Sequence, residues 1–105
     1  VESDGHDTVL TEIPDLASGV VWPGAMSRAH RNRFVERWSG REWELRQHRT
    51  EAFNRLTAAR RGGDADEASL SWGQDAGLIH DIIPAGDIVR RVVDEAEAII
   101  GRLVE

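Results

Sequence analysis

The four histidines, His6, His30, His48 and His80, are the first residues to weigh, because imidazole carries protons and binds metals near neutral pH. No two of them stand at the i, i+4 spacing that turns a pair of ligands toward one metal on a helix. His80 has an acid beside it, Asp81, and that is a weak signal for a ligand pair. No metal is expected. Ser27, Ser39, Ser69 and Ser71 all have cap or turn roles open to them, and none lies in a strained nucleophile elbow. Gly62-Gly63-Asp64 stops a helix and follows it with an acid, which would repel phosphate. Gly73-Gln74-Asp75-Ala76-Gly77 has the glycine freedom that lets backbone approach a ligand. Its spacing fits neither a Walker loop nor a dinucleotide fingerprint, and a turn between helices explains it as well. The acid pairs Asp64/Asp66 and Asp94/Glu95 fall on faces expected to be solvated. By residue chemistry alone, the chain carries no self-sufficient active site.

Charge is the next chemical signal. All basic residues are Arg, and residues 28–61 hold ten of the 13 against four Glu, a local net of +6. The remainder nets −12. Arg28, Arg31, Arg33, Arg37 and Arg41, with Phe34 and Trp38 between them, resemble the basic, aromatic-bearing stripe of single-strand binders. The apolar period of the same stretch points to a core-facing helix docked on acidic neighbours. Nucleic acid is therefore not the expected partner.

The elements that must position these residues read as mainly α: three to four helices joined by glycine loops, with at most one short strand. Thr8–Ile13 is β-branched and closed by Pro14. Residues 15–26 show no helical period and read as an ordered loop whose Val20, Val21 and Trp22 are buried. A first helix is expected from Ser27 as N-cap. A second is expected from a Ser39/Glu42 capping box to the Gly62-Gly63 stop. Acids at 64–67 suit the start of a short third helix through Trp72. Pro84 fits the first turn of the last and clearest helix. There Ala85, Ile88, Val89, Val92, Val93, Ala96, Ile99, Ile100 and Leu103 recur at three- and four-residue steps. Three segments result: a lead-in over 1–26, a helical subdomain over 27–72, and a glycine loop with the last helix over 73–105.

A chain of 105 residues holds one domain at most. It has no cysteine, which excludes disulfides and thiolate metal sites and fits a cytoplasmic location. No apolar run reaches the roughly 20 residues needed to span a bilayer, so no membrane is expected. The acidic start, Val1 to Asp7, is unlike a signal peptide.

Several short stretches also follow one another in a suggestive order. They begin with Asp7-Thr8-Val9-Leu10-Thr11, Trp22-Pro23, Arg31-Asn32-Arg33-Phe34 and Trp38 with Gly40-Arg41-Glu42. They continue with Asp66-Glu67-Ala68, Trp72-Gly73-Gln74, Gly77-Leu78-Ile79, Pro84-Ala85 and Glu95-Ala96-Glu97. Together they resemble the C-terminal segment of the FMN-dependent nitronate monooxygenases, formerly called 2-nitropropane dioxygenases. The resemblance implies the C-terminal helical part of a (β/α)8 flavin barrel, of which 105 residues are too few to be the whole. In that family FMN sits at the barrel mouth, and alkyl nitronates are oxidised with dioxygen to a carbonyl compound and nitrite. The family's flavin-side histidine and phosphate-holding glycine loops come from earlier sequence and are not carried here. The resemblance places Trp72, Gly73 and Gln74 on the flavin-pocket side, with Trp22 in a lid, and implies no catalytic residue in this chain. It also implies that FMN binds the parent enzyme and not this chain alone.

Two readings follow from different classes. One is a fragment of a flavin oxidoreductase, inactive alone, whose partner is the missing barrel. The other is a stand-alone helical interaction module that docks on a separate chain. Either would leave the last helix's apolar face open to self-association.

Overall fold

A computed structural model describes residues 1–104. Its elements run β1 (Thr8–Thr11), α1 (Ile13–Ser18), β2 (Ser27–His30), α2 (Arg33–Trp38), α3 (Glu42–Gln47), α4 (Arg49–Gly62), a 3-10 turn (Gln74–Leu78) and α5 (Ala85–Leu103). The chain is mainly helical, but the expectation of three to four helices and at most one strand is corrected: the described residues form five α-helices and two strands. β1 and β2 form an antiparallel pair with Thr8 opposite His30 and Thr11 opposite Ser27.

That second strand moves the start of the following helix. Ser27 is not an N-cap; it lies in β2, and its hydroxyl donates to the Thr11 carbonyl. Asn32 caps α2 instead, its Oδ1 accepting from the Val35 N–H at 3.1 Å. Between the strands, the expected loop contains α1. Pro14 sits in its first turn, where a missing N–H leaves nothing unsatisfied. Gly19, at φ +73°, ends the helix in the left-handed conformation that glycine tolerates best. The loop after it is not buried: Val21 is 80% and Trp22 65% exposed.

The second expected helix is divided at His48, whose backbone leaves helical geometry (φ −111°, ψ 24°). The division lets Leu45 from α3 and both Ala52 and Leu56 from α4 enter one core. Ser39 does not cap α3, because its hydroxyl donates back to the Val35 carbonyl of α2. The expected stop at Gly62-Gly63 is present, with Gly63 at φ +70° and Asp64 N–H reaching the Ala59 carbonyl. No helix follows over residues 64–72. The carbonyls a helix would use there are taken by the 30–34 segment: Asn32 Nδ2 donates to Ala65 and Ala68, Phe34 N–H to Asp66, and His30 N–H to Leu70.

These elements close one small core of Ile13, Ala17, Ala29, Phe34, Val35, Leu45, Ala52 and Leu56, with Val9, Leu16 and Trp38 packed on it. Helix α5 stands outside it. It forms as its periodicity predicts, with Pro84 as the residue before its first turn, yet every one of its residues is exposed. Its projection gives the chain a longest dimension of 61 Å and a radius of gyration of 18.3 Å. A compact chain of 100 residues would have about 13 Å. Among the described residues, no helix is long and apolar enough to cross a membrane.

Candidate functional site

Trp72 lies in the extended stretch between α4 and the 3-10 turn, and three residues, Ser3, Asp7 and His30, tie it to the start of the chain. Its indole Nε1–H donates to Ser3 Oγ at 3.0 Å. Ser3 Oγ in turn donates to Asp7 Oδ1 at 2.5 Å. Asp7 Oδ2 lies 3.3 Å from His30 Nδ1. The His30 ring closes the circuit by stacking on the Trp72 indole, with centroids 4.6 Å apart and planes at 25°.

The sheet accounts for this convergence. Pairing Thr8 with His30 places Asp7 one residue before the ladder, beside the imidazole. Backbone contacts hold the 72–77 stretch against residues 3–7. Gly5, at φ +83°, sits so close to the Gln74 carbonyl that an added Cβ would come within 1.9 Å of its oxygen. Gly77 bears the same relation to the Asp4 carbonyl, at 2.2 Å. The Ser3 hydroxyl holds the Asp7 carboxyl below its ordinary value, with the His30 charge adding to that and partial burial opposing it.

An open cavity of about 730 Å³ adjoins this circuit. Its wall combines His30 and Trp72 with the apolar Leu70, Ala76, Ile79 and Ile82. Of the residues implied by the resemblance, only Trp72 lines it. Gly73 and Gln74 are exposed and do not line it. Trp22 is elsewhere, lining a separate cavity of about 380 Å³ with Glu12, Leu16, Val20 and Arg46. The expected lid residue and the expected pocket residues are therefore not gathered in one place.

The wall is aromatic and apolar on one part and acidic on another. Its aromatic and apolar side chains match a planar ring system. Its ionisable side chains at neutral pH are the acids Glu2 and Asp7 beside His30, a poor setting for a phosphate. Among the described residues, no group of three His, Asp or Glu could hold a metal ion.

The arginine stripe is engaged in a different way. Arg37 makes a two-pronged bond to Glu67, both N–O distances being 2.7 Å. Arg33 and Arg55 lie within 3.9 Å of the same carboxylate. Arg41 pairs with Glu44, and Arg46 approaches Glu12. Part of the +6 is thus set against acids outside the stretch, three of these pairings sharing Glu67 in the turn after α4. The Arg37 hydrogen bond holds Glu67 below its ordinary value of 4.5, with burial opposing. A depressed carboxylate adds stability that is complete above about pH 4.5 and is lost as pH falls through its folded-state value. Glu67→Gln is expected to flatten that acid limb in pH-dependent denaturant unfolding. An unchanged limb would show that the pair adds nothing.

Of these features, Asp7 and His30 were missed by sequence reasoning, since only a second strand brings them together. Set against models of protein families, curated proteins and solved structures, the chain matches none.

Proposed function

We propose that this chain is the C-terminal part of an FMN-dependent oxidoreductase resembling nitronate monooxygenase, inactive alone and completed by a flavin barrel. The observation that carries the reading is α5. A 19-residue helix with Ile88, Val92, Val93, Ile99 and Ile100 on its apolar side leaves these residues 44–60% exposed beside a unit that has closed its own core. An exposed apolar face of that length is a docking surface. The resemblance supplies its occupant, the wall of a (β/α)8 barrel, for which α5 would be the last helix.

Within that assembly the Trp72–Gln74 stretch forms one side of the flavin pocket, and Trp22 belongs to a lid that approaches it. FMN, when bound, supplies the electron transfer by which an alkyl nitronate and dioxygen give a carbonyl compound and nitrite. This chain's own part is to bound the pocket with Trp72 and the apolar side chains around it and to exclude water there. The phosphate falls to the barrel, since Glu2 and Asp7 at this wall would oppose it.

The second reading, a helical module docking on an unrelated partner, rests on the same α5 face. A titration followed by flavin fluorescence separates them. The 105-residue chain is expected to leave FMN free. A polypeptide that continues N-terminally of Val1 into a barrel is expected to bind FMN stoichiometrically and release nitrite from an alkyl nitronate. In it, Trp72→Ala and Gln74→Ala are expected to weaken flavin affinity or slow turnover. Tight FMN binding by the short chain would overturn the division of labour proposed here. No flavin binding by the longer polypeptide would favour the docking module.

A further inference from the structure

We infer that Asp7 and His30 are positioning residues for Trp72, and that the protonation of His30 is transmitted to the indole. The argument starts from which ring nitrogen can titrate. His30 Nδ1 faces two oxygens of Asp7, its backbone carbonyl and its Oδ2, each at 3.3 Å. Neither oxygen can donate while the carboxyl is ionised, so Nδ1 keeps its hydrogen whether the ring is neutral or charged. The proton that comes and goes is the one on Nε2. That nitrogen has no hydrogen-bond partner among the described residues, and the ring lines the open cavity.

Gaining that proton makes the imidazole a cation lying on the face of an indole. Cations over tryptophan faces are attracted by the ring quadrupole. The same charge strengthens the pair with Asp7, which also accepts from Ser3, the acceptor of the indole N–H. The circuit Asp7–His30–Trp72–Ser3 is closed, so a change at Nε2 reaches the indole by both its face and its N–H.

The charged groups around His30 are few. Across the sheet there is Asp7, and on the cavity rim the Val1 amino group and Glu2. On its own strand, Arg28 turns its guanidinium to the Thr8 hydroxyl. The cavity-lining residues of the 65–82 stretch, Ala65, Leu70, Trp72, Ala76, Ile79 and Ile82, carry no charge. Functional weight for the coupling rests on the reading of Trp72 as a pocket wall.

The test is NMR of the unmodified chain, which needs no flavin. The Trp72 indole N–H signal, identified by its loss in Trp72→Phe, is expected to move with pH at the midpoint shown by the His30 ring protons. His30→Phe keeps an aromatic ring against the indole but carries no titrating proton, so the indole signal should stay dispersed and lose the step at that midpoint. A Trp72 signal that stays flat while His30 titrates would overturn the inference. So would a step at that same midpoint that survives in His30→Phe, since the carboxyl of Asp7 can account only for a step in the acid range. Should that variant not fold, the two midpoints in the unmodified chain decide the matter. Failure of a flavin assembly would leave this result standing, and a flat indole would leave the flavin reading standing.

Discussion

Replacing Asn32 with alanine is expected to destabilise the fold by about 2–4 kcal/mol, read as a lowered midpoint of denaturant unfolding. Asn32 is 4% exposed and makes three hydrogen bonds in two directions. Its Oδ1 caps α2 through Val35 N–H, while its Nδ2 donates to the Ala65 carbonyl at 2.9 Å and the Ala68 carbonyl at 2.6 Å. Loss of the cap alone costs about 1 kcal/mol. The larger part comes from the Ala68 carbonyl, which is buried and loses its donor at a desolvation penalty of about 1–3 kcal/mol, whereas exposed Ala65 can turn to water. Asn32→Ser separates these contributions. The hydroxyl can still cap but cannot span the 65–68 turn, so about 1 kcal/mol of the loss should return. Asn32→Asp sharpens the test further, because a carboxylate would cap well and face two carbonyl oxygens with no hydrogen to offer. It is expected to be at least as unstable as Asn32→Ala at neutral pH, and to recover on acidification. If all three variants unfold at the parent midpoint, the 64–70 turn is not held by this side chain.

The same residue shows how much of the fold was legible in the chain. Helix α5 and the Gly63 stop of α4 follow from local rules, a periodic apolar face and a left-handed glycine, and both are present as expected. Where the reading went astray, long-range hydrogen bonds displaced local propensity. Ser27 is a good N-cap by type, but β1 claims it for a strand. The acids at 64–67 are good helix starters, but Asn32, Phe34 and His30 take the carbonyls that would continue the helix. Neither displacement leaves a trace in a window of a few residues. The candidate site shares this property. Trp72 was singled out by its place in a resembling motif, whereas Ser3, Asp7 and His30 meet it only through the β1–β2 register and the packing of Gly5 on Gln74. Trp22 was expected under cover and lies exposed. On the proposed function, its role as a lid is tested only in the longer polypeptide.

The second large effect is expected at Gly5, and it bears on how the candidate pocket is built. Gly5→Ala should detach the 72–77 stretch from the chain's start while leaving the Ile13–Leu56 core folded. Two separate penalties act at this position. The left-handed backbone, φ +83°, costs a side-chain-bearing residue about 1–2 kcal/mol. The new Cβ would also lie 1.9 Å from the Gln74 oxygen and 2.7 Å from its carbonyl carbon, atoms that cannot rotate aside as a side chain could. The contact must open, and the lowest-energy way is for the loop to move, since it is anchored by few bonds. Gly24→Ala is the matched control: its φ is +73°, and nothing lies within 4 Å of where its Cβ would be. It should show the backbone penalty alone. Hydrogen exchange of the Trp72 indole and of the 72–77 amides is therefore expected to accelerate strongly in Gly5→Ala and to stay near parent values in Gly24→Ala. Equal exchange in the two variants would mean that the close approach of Gly5 to Gln74 does not hold the loop. Unequal exchange would make the glycine at position 5 a condition for the Ser3–Asp7–His30–Trp72 circuit. On the proposed function, it would also be a condition for the placement of Trp72 at the flavin.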